Sequence, residues 1–107
     1  MKEVLFNWKK PNKSIYLPYG WTEQLAKDYF IEKGYSVNRI KGVGAPDFFV
    51  TGNKDFFVEV KRNFEPLRKS QINWIKRNPS KKVIVFRVMI IFEELKVSDL
   101  IKKMGGK

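Results

Sequence analysis

Gly44-Ala45-Pro46-Asp47-Phe48-Phe49-Val50 and, across a Gly52-Asn53 turn, Asp55-Phe56-Phe57-Val58-Glu59-Val60-Lys61 are the two stretches that decide the fold. They read as short apolar strands joined by a tight turn. Each carries acid where a buried strand ordinarily holds only Val, Ile or Phe. Side chains two apart on a strand share a face at roughly 6.5–7 Å, so Phe57, Glu59 and Lys61 point the same way. Asp47 joins them in only one register. A two-residue turn pairs Asp47 with Val58 and sends Asp47 and Glu59 to opposite faces. A three-residue loop, Gly52-Asn53-Lys54, pairs Asp47 with Glu59 and Phe49 with Phe57. Both loops are common in hairpins, but only the longer gathers the charges, and that register is expected here.

Two carboxylates a few ångströms apart repel unless a proton or a cation lies between them. A hard divalent ion such as Mg²⁺ takes oxygen ligands, often one or two carboxylates with water and a phosphate. A lysine beside such an ion can orient an attacking water and offset charge on a phosphate being cleaved. The ordinary reading of Glu59-x-Lys61 is a solvated edge ion pair, which contributes little. The apolar strand and the partner Asp47 favour the gathered site instead.

The pattern Pro46-Asp47 … Glu59-Val60-Lys61 resembles the PD-(D/E)xK nuclease superfamily. The Gly44-x-Pro46-Asp47 form, followed by Ser70-Gln71-x-x-Trp74, is most similar to its VRR-NUC branch. Archaeal Holliday-junction resolvases share the same core pattern. The resemblance covers about residues 22 to 88. It implies a restriction-endonuclease-like fold and metal-dependent cleavage of DNA. By the same resemblance Asp47, Glu59 and the Val60 carbonyl would hold Mg²⁺ or Mn²⁺, and Lys61 would position and activate water. Glu23, the matching first-helix acid, would add a ligand or hold a second ion through water. Gln71 would support Lys61 or the scissile phosphate.

Composition narrows the chemistry without any family. Cysteine and histidine are both absent, which removes thiol nucleophiles, disulfides, a histidine base and sulfur- or imidazole-held metals. Any metal must be held by oxygen, which suits Mg²⁺ or Mn²⁺, and no other cofactor is expected. With 22 basic against 11 acidic residues the net charge is +11, so the chain seeks a polyanion. DNA is preferred to a membrane surface, because neither expected helix is a basic amphipathic anchor. No apolar run reaches the ~18 residues of a membrane span, and no signal-peptide pattern opens the chain. An intracellular, cytoplasmic protein is expected.

The 107 residues are enough for one domain. Residues 1–20 read as an N-terminal arm, 21–92 as the catalytic core, and 93–107 as a short helix capped by Ser98 and a tail. In the arm, Val4-Leu5-Phe6-x-Trp8 suggests a short strand and Lys9-Lys10-Pro11-Asn12-Lys13 a basic linker. Thr22 is the expected N-cap of a helix from about Glu23 to Lys33. Glu23 in its first turn also favours the helix dipole. Tyr35 to Ile40 alternates like a strand.

Pro66 suits the first turn of a second helix that ends before Pro79. Leu67, Gln71, Trp74, Ile75 and Asn78 form its buried stripe, with Gln71 where Leu would be expected and Trp74 in the core. Arg62, Arg68, Lys69, Lys76, Arg77, Lys81 and Lys82, on and around this helix, are the expected DNA-phosphate contacts. Lys82 to Phe92 is the longest apolar run and the natural central or closing strand.

These elements give an α/β sandwich with a mixed four-stranded sheet flanked by helices. The expected function is a Mg²⁺-dependent endodeoxyribonuclease, structure-selective for junctions or flaps in DNA repair, recombination or replication, acting as a homodimer. The competing class is a basic nucleic-acid-binding module without catalysis.

Overall fold

In a computed structural model, residues 2–10 and 19–92 are described. Five strands and two helices follow one another as β1 (Lys2–Lys10), α1 (Trp21–Glu32), β2 (Ser36–Arg39), β3 (Phe48–Thr51), β4 (Phe56–Arg62), α2 (Lys69–Arg77) and β5 (Val83–Phe92). They form one mixed sheet in the order β1-β5-β4-β3-β2. The α/β class is as expected, and the sheet has five strands rather than four. The added strand is β1, which runs parallel to β5 over its whole length.

Alternation explains β1. Val4, Phe6 and Trp8 face α1 and the core, while Glu3, Leu5 and Asn7 take the other side. Phe6 stacks on Phe86 at 5.7 Å between ring centroids, and Trp8 lies 4.9 Å from Trp21 at the start of α1. The first half of the expected arm is therefore a sheet edge, with Lys9 and Lys10 inside the strand. The expected Pro11–Lys13 linker and the Ser98-capped helix and tail lie outside the described residues.

The hairpin takes the three-residue loop. Phe49 pairs with Phe57, Phe48 with Val58 and Val50 with Phe56, antiparallel. β5 then pairs parallel with β4, a geometry that needs a crossover connection, and α2 supplies it. β5 is thus a central strand, between β1 and β4.

Both sheet faces carry apolar side chains because a helix covers each. On the α1 side, Phe48, Val50, Phe56, Val58, Ile84, Phe86 and Val88 are buried with Ala26 and Phe30. Burying a ring such as Phe86 stabilises by roughly 2–3 kcal/mol, and truncating it to alanine would cost about 3–5 kcal/mol. On the α2 side Trp74 meets Phe57 edge-on at 5.2 Å, which makes Trp74 a packing residue.

Two helix starts differ from expectation. Thr22 is the second residue of α1, not its N-cap. Gly20, at φ 80°, turns the chain, and its carbonyl accepts the Gln24 N–H at 3.1 Å. The Thr22 hydroxyl is spent on the Glu23 carboxylate. α2 begins at Lys69, three residues after Pro66. A turn holds the chain back: the Glu65 carboxylate accepts the Arg62 N–H and the Glu65 N–H meets the Arg62 carbonyl.

Candidate active site

Asp47 reaches the site because the β3 ladder ends beside it. Continued by one position, the register would set Asp47 opposite Glu59. Asp47 instead turns its side chain onto the partner strand, where Oδ2 accepts the Val60 N–H at 2.7 Å. Its own carbonyl accepts the Ile40 N–H at the end of β2. Both ends of the residue are thus held, and the carboxylate is fixed beside Glu59.

Glu59 and Lys61 project from β4 on the α2 side, at 4 % and 6 % relative exposure. Gln71, in the first turn of α2, is buried against them. Its Oε1 accepts the Arg68 N–H at 2.8 Å, while its Nε2 donates to Glu59 Oε2. One amide thus caps the helix and orients the acid. The amide expected to support Lys61 or a phosphate addresses Glu59.

The other oxygen, Glu59 Oε1, is the one buried side-chain polar atom among the described residues without a hydrogen-bond partner. Buried polar groups in native proteins are almost always satisfied, so this oxygen marks a place for something else. Burial pushes the Glu59 carboxyl up to about 8, and the neighbouring Asp47 charge adds to the rise. Lys61 and Arg68 pull it the other way but do not win. Glu59 therefore favours its protonated form at neutral pH.

These residues open on a cleft of about 540 Å³ between the amino-terminal ends of α1 and α2. Asp47, Glu59, Val60, Lys61 and Gln71 line it, as do Glu23, Arg62 and Arg68. The donor set fits a hard divalent ion: oxygen ligands, two adjacent carboxylates and one unsatisfied buried oxygen. Glu23 shares the cleft wall without completing a tight triad. Among the described residues no group of three acidic side chains is close enough to hold one ion.

The cations expected to meet phosphate divide between the two ends of α2. Arg62 and Arg68 line the cleft, and Lys69 opens the helix beside it. Lys76 and Arg77 close the helix at its far end. Lys81 and Lys82 border a separate hollow with Lys2, Ile75 and Asn78, and the Lys82 carbonyl accepts the N–H of Phe57 near the start of β4. Lys82 is thus level with the start of β4, and none of these four cations lines the cleft.

Two supporting residues escape a reading of motifs. Arg87, beside Lys61 on β5, donates Nη1 to the carbonyls of Asn63 and Glu65 at 2.8 and 2.7 Å, and Nε to Glu3. Asn63, at φ 49°, exchanges bonds with the β5 backbone through its N–H and Oδ1. Together they pin the loop that carries Arg62, Glu65 and Arg68. A guanidinium inside the apolar run from Val83 to Phe92 was the available sequence signal.

Gly44 has a local reason of its own. At φ 74°, an added Cβ would lie 2.2 Å from the Ser70 carbonyl oxygen. The loop before Asp47 therefore packs backbone to backbone on the first turn of α2, the turn that holds Gln71. Among the described residues, no helix is long and apolar enough to cross a membrane.

No family model, curated protein or solved structure matches this chain.

Proposed function

We propose that this chain is a divalent-metal-dependent DNA endonuclease. The observation that carries the reading is Glu59 Oε1, a buried carboxylate oxygen with no partner, set beside Asp47 in a cleft. The resemblance to PD-(D/E)xK nucleases, on Pro46-Asp47 and Glu59-Val60-Lys61, points to the same chemistry. The element order α1-β2-β3-β4-α2-β5 suits the restriction-endonuclease-like core that this resemblance implies.

Asp47 and Glu59 would hold Mg²⁺ or Mn²⁺, with the Val60 carbonyl as a further ligand. When bound, the ion would polarise a phosphoryl oxygen and lower the pKa of a water. Gln71 keeps Glu59 Oε2 occupied, so Oε1 is the oxygen offered to the ion. Lys61 brings an ammonium to the same cleft, where it can orient the attacking water and offset charge as phosphorus accepts it. Arg62 and Arg68 supply guanidinium groups for the flanking phosphates. Glu23 would act through water from the opposite wall. Hydrolysis adds the water oxygen to phosphorus, breaks one phosphodiester P–O bond and passes a proton to the departing oxygen.

We place the activity inside the cell, on junctions or flaps in repair, recombination or replication. A pair of chains would present two such sites to opposite strands. The test is cleavage of a labelled panel of duplex, single strand, flap and four-way junction, with Mg²⁺, Mn²⁺, Ca²⁺ or EDTA. Cutting that needs Mg²⁺ or Mn²⁺ and disappears in Glu59→Ala and Lys61→Ala supports the reading. Binding in every lane without cutting, unaffected by either substitution, would leave a basic binding module.

A further inference from the structure

We propose that Phe64, together with Tyr19, forms a stacking platform for an unpaired base at the mouth of the cleft. This inference rests on the reading of the cleft as a DNA-cleaving site and names the feature of DNA that the site selects.

Phe64 is 87 % exposed and Tyr19 is fully exposed. Scattered apolar side chains on a surface need no explanation, but the setting of these two does. Tyr19 lines the cleft from the turn before α1, and Phe64, though not itself a lining residue, stands in the chain between Arg62 and Glu65, which are. The loop that displays Phe64 is held from both sides. Asn63 is bonded through its N–H and side chain to β5, and both the Asn63 and Glu65 carbonyls accept Arg87. The Glu65 N–H closes onto the Arg62 carbonyl at 3.0 Å. A backbone this constrained presents the ring to solvent at little further entropic cost on binding.

The occupant follows from the neighbours. Arg62 and Arg68 line the same cleft, on either side of Phe64 in the chain, with guanidinium groups suited to phosphate, in a chain of net charge +11. An exposed aromatic ring beside phosphate-binding cations is the arrangement that holds single-stranded nucleic acid, because every base has a π-face to stack. A base inside an intact duplex has no free face, so the platform discriminates for flaps, overhangs and distorted junctions.

Binding is measured in EDTA, where no cleavage intervenes. Two oligonucleotides of equal length are used, one fully paired and one carrying a 2-aminopurine in a short unpaired overhang. The wild type should bind the overhang about 10-fold more tightly, equivalent to ~1.4 kcal/mol, and quench its fluorescence. Phe64→Ala and Phe64→Leu should remove both preference and quenching while leaving duplex affinity unchanged, and Phe64→Tyr should restore them. Tyr19→Ala should give a partial loss.

Equal preference and quenching in wild type and Phe64→Ala would overturn the proposal, even if the protein cuts DNA in Mg²⁺. Loss of quenching only in the non-aromatic variants would uphold the platform, even if no cleavage were found. The side chain is exposed, so an unchanged thermal transition in each variant accompanies either result.

Discussion

Gln71 donates its side-chain amide to Glu59 Oε2 and leaves Glu59 Oε1 unpartnered and buried. One glutamine thus saturates half of the carboxylate of Glu59, a residue that lines the cleft with Asp47. The arrangement is costly in isolation, since an unsatisfied buried acceptor costs about 1–3 kcal/mol, and a divalent cation would relieve it.

That cost depends on pH. The folded protein holds a proton on Glu59 up to about 8, whereas the ordinary value is 4.5. Between those values the unfolded chain binds fewer protons than the folded one, so stability falls as pH rises across the window. One proton sets a maximum slope of about 1.4 kcal/mol per pH unit. Thermal melts of metal-free protein from about pH 5 to about pH 9 should show a falling Tm. Glu59→Gln should flatten that fall, and Mg²⁺ or Mn²⁺ should raise the wild-type Tm more at pH 8 than at pH 6. A wild-type Tm that rises through this window would contradict the assignment.

Lys61 and Glu59 should separate in their effects. Lys61→Met removes the ammonium but no carboxylate, so the metal-induced rise in Tm should persist. Cleavage should drop by at least about 100-fold, the usual scale for losing a group that stabilises developing charge. Single-turnover assays beside melts with Mn²⁺ would show whether the two losses travel together, which this account forbids.

Gly44→Ala is expected to destabilise by about 3 kcal/mol. It combines a left-handed backbone, unfavourable by roughly 1–2 kcal/mol for a residue with a Cβ, with overpacking against Ser70. Because the clash moves the turn bearing Gln71, residual cleavage should fall further than the loss of folded protein explains. Urea unfolding and activity per folded molecule are the two readings.

Arg87→Met should loosen the loop from Asn63 to Arg68 while keeping apolar volume within β5. Removing the bonds to two carbonyls and to Glu3 makes a destabilisation of roughly 2 kcal/mol reasonable. Hydrogen exchange should rise at the Asn63 and Ile90 amides first. Unchanged protection there would show that the loop does not depend on the guanidinium.

The two basic groups should differ in their influence on catalysis. Replacing Arg62 and Arg68 with alanine should lower the salt dependence of DNA binding by about one unit of log–log slope for each phosphate no longer neutralised and reduce cleavage. Replacing Lys81 and Lys82, which border the separate hollow, should leave the single-turnover rate on a short flap unchanged. A rate that falls equally in both pairs would mean the DNA spans the whole length of α2.

Much of the site was legible locally. The period of two along β4 puts Glu59 and Lys61 on one face whatever the rest of the chain does. The odd hairpin loop was a choice between two registers, favoured by the charges it gathers, and Phe49 opposite Phe57 confirms it. Gln71 stood out because an amide interrupts an apolar helical stripe. The β1 alternation was visible too, but its parallel partner lies more than seventy residues away and no local pattern names it. The strand was expected but its place as the fifth in the sheet was missed for that reason.

Sequence alone determined the donor chemistry, because without histidine or cysteine only oxygen ligands remain. It also determined the shared face of Glu59 and Lys61 and the buried position of Gln71, since those follow from the periods of strand and helix. Tertiary structure decided which oxygen is left free, which cations line the cleft and which do not. It also decided how Arg87 holds the loop that displays Phe64. Such relations join elements far apart in the chain, and they depend on directions of packing that local periodicity does not encode.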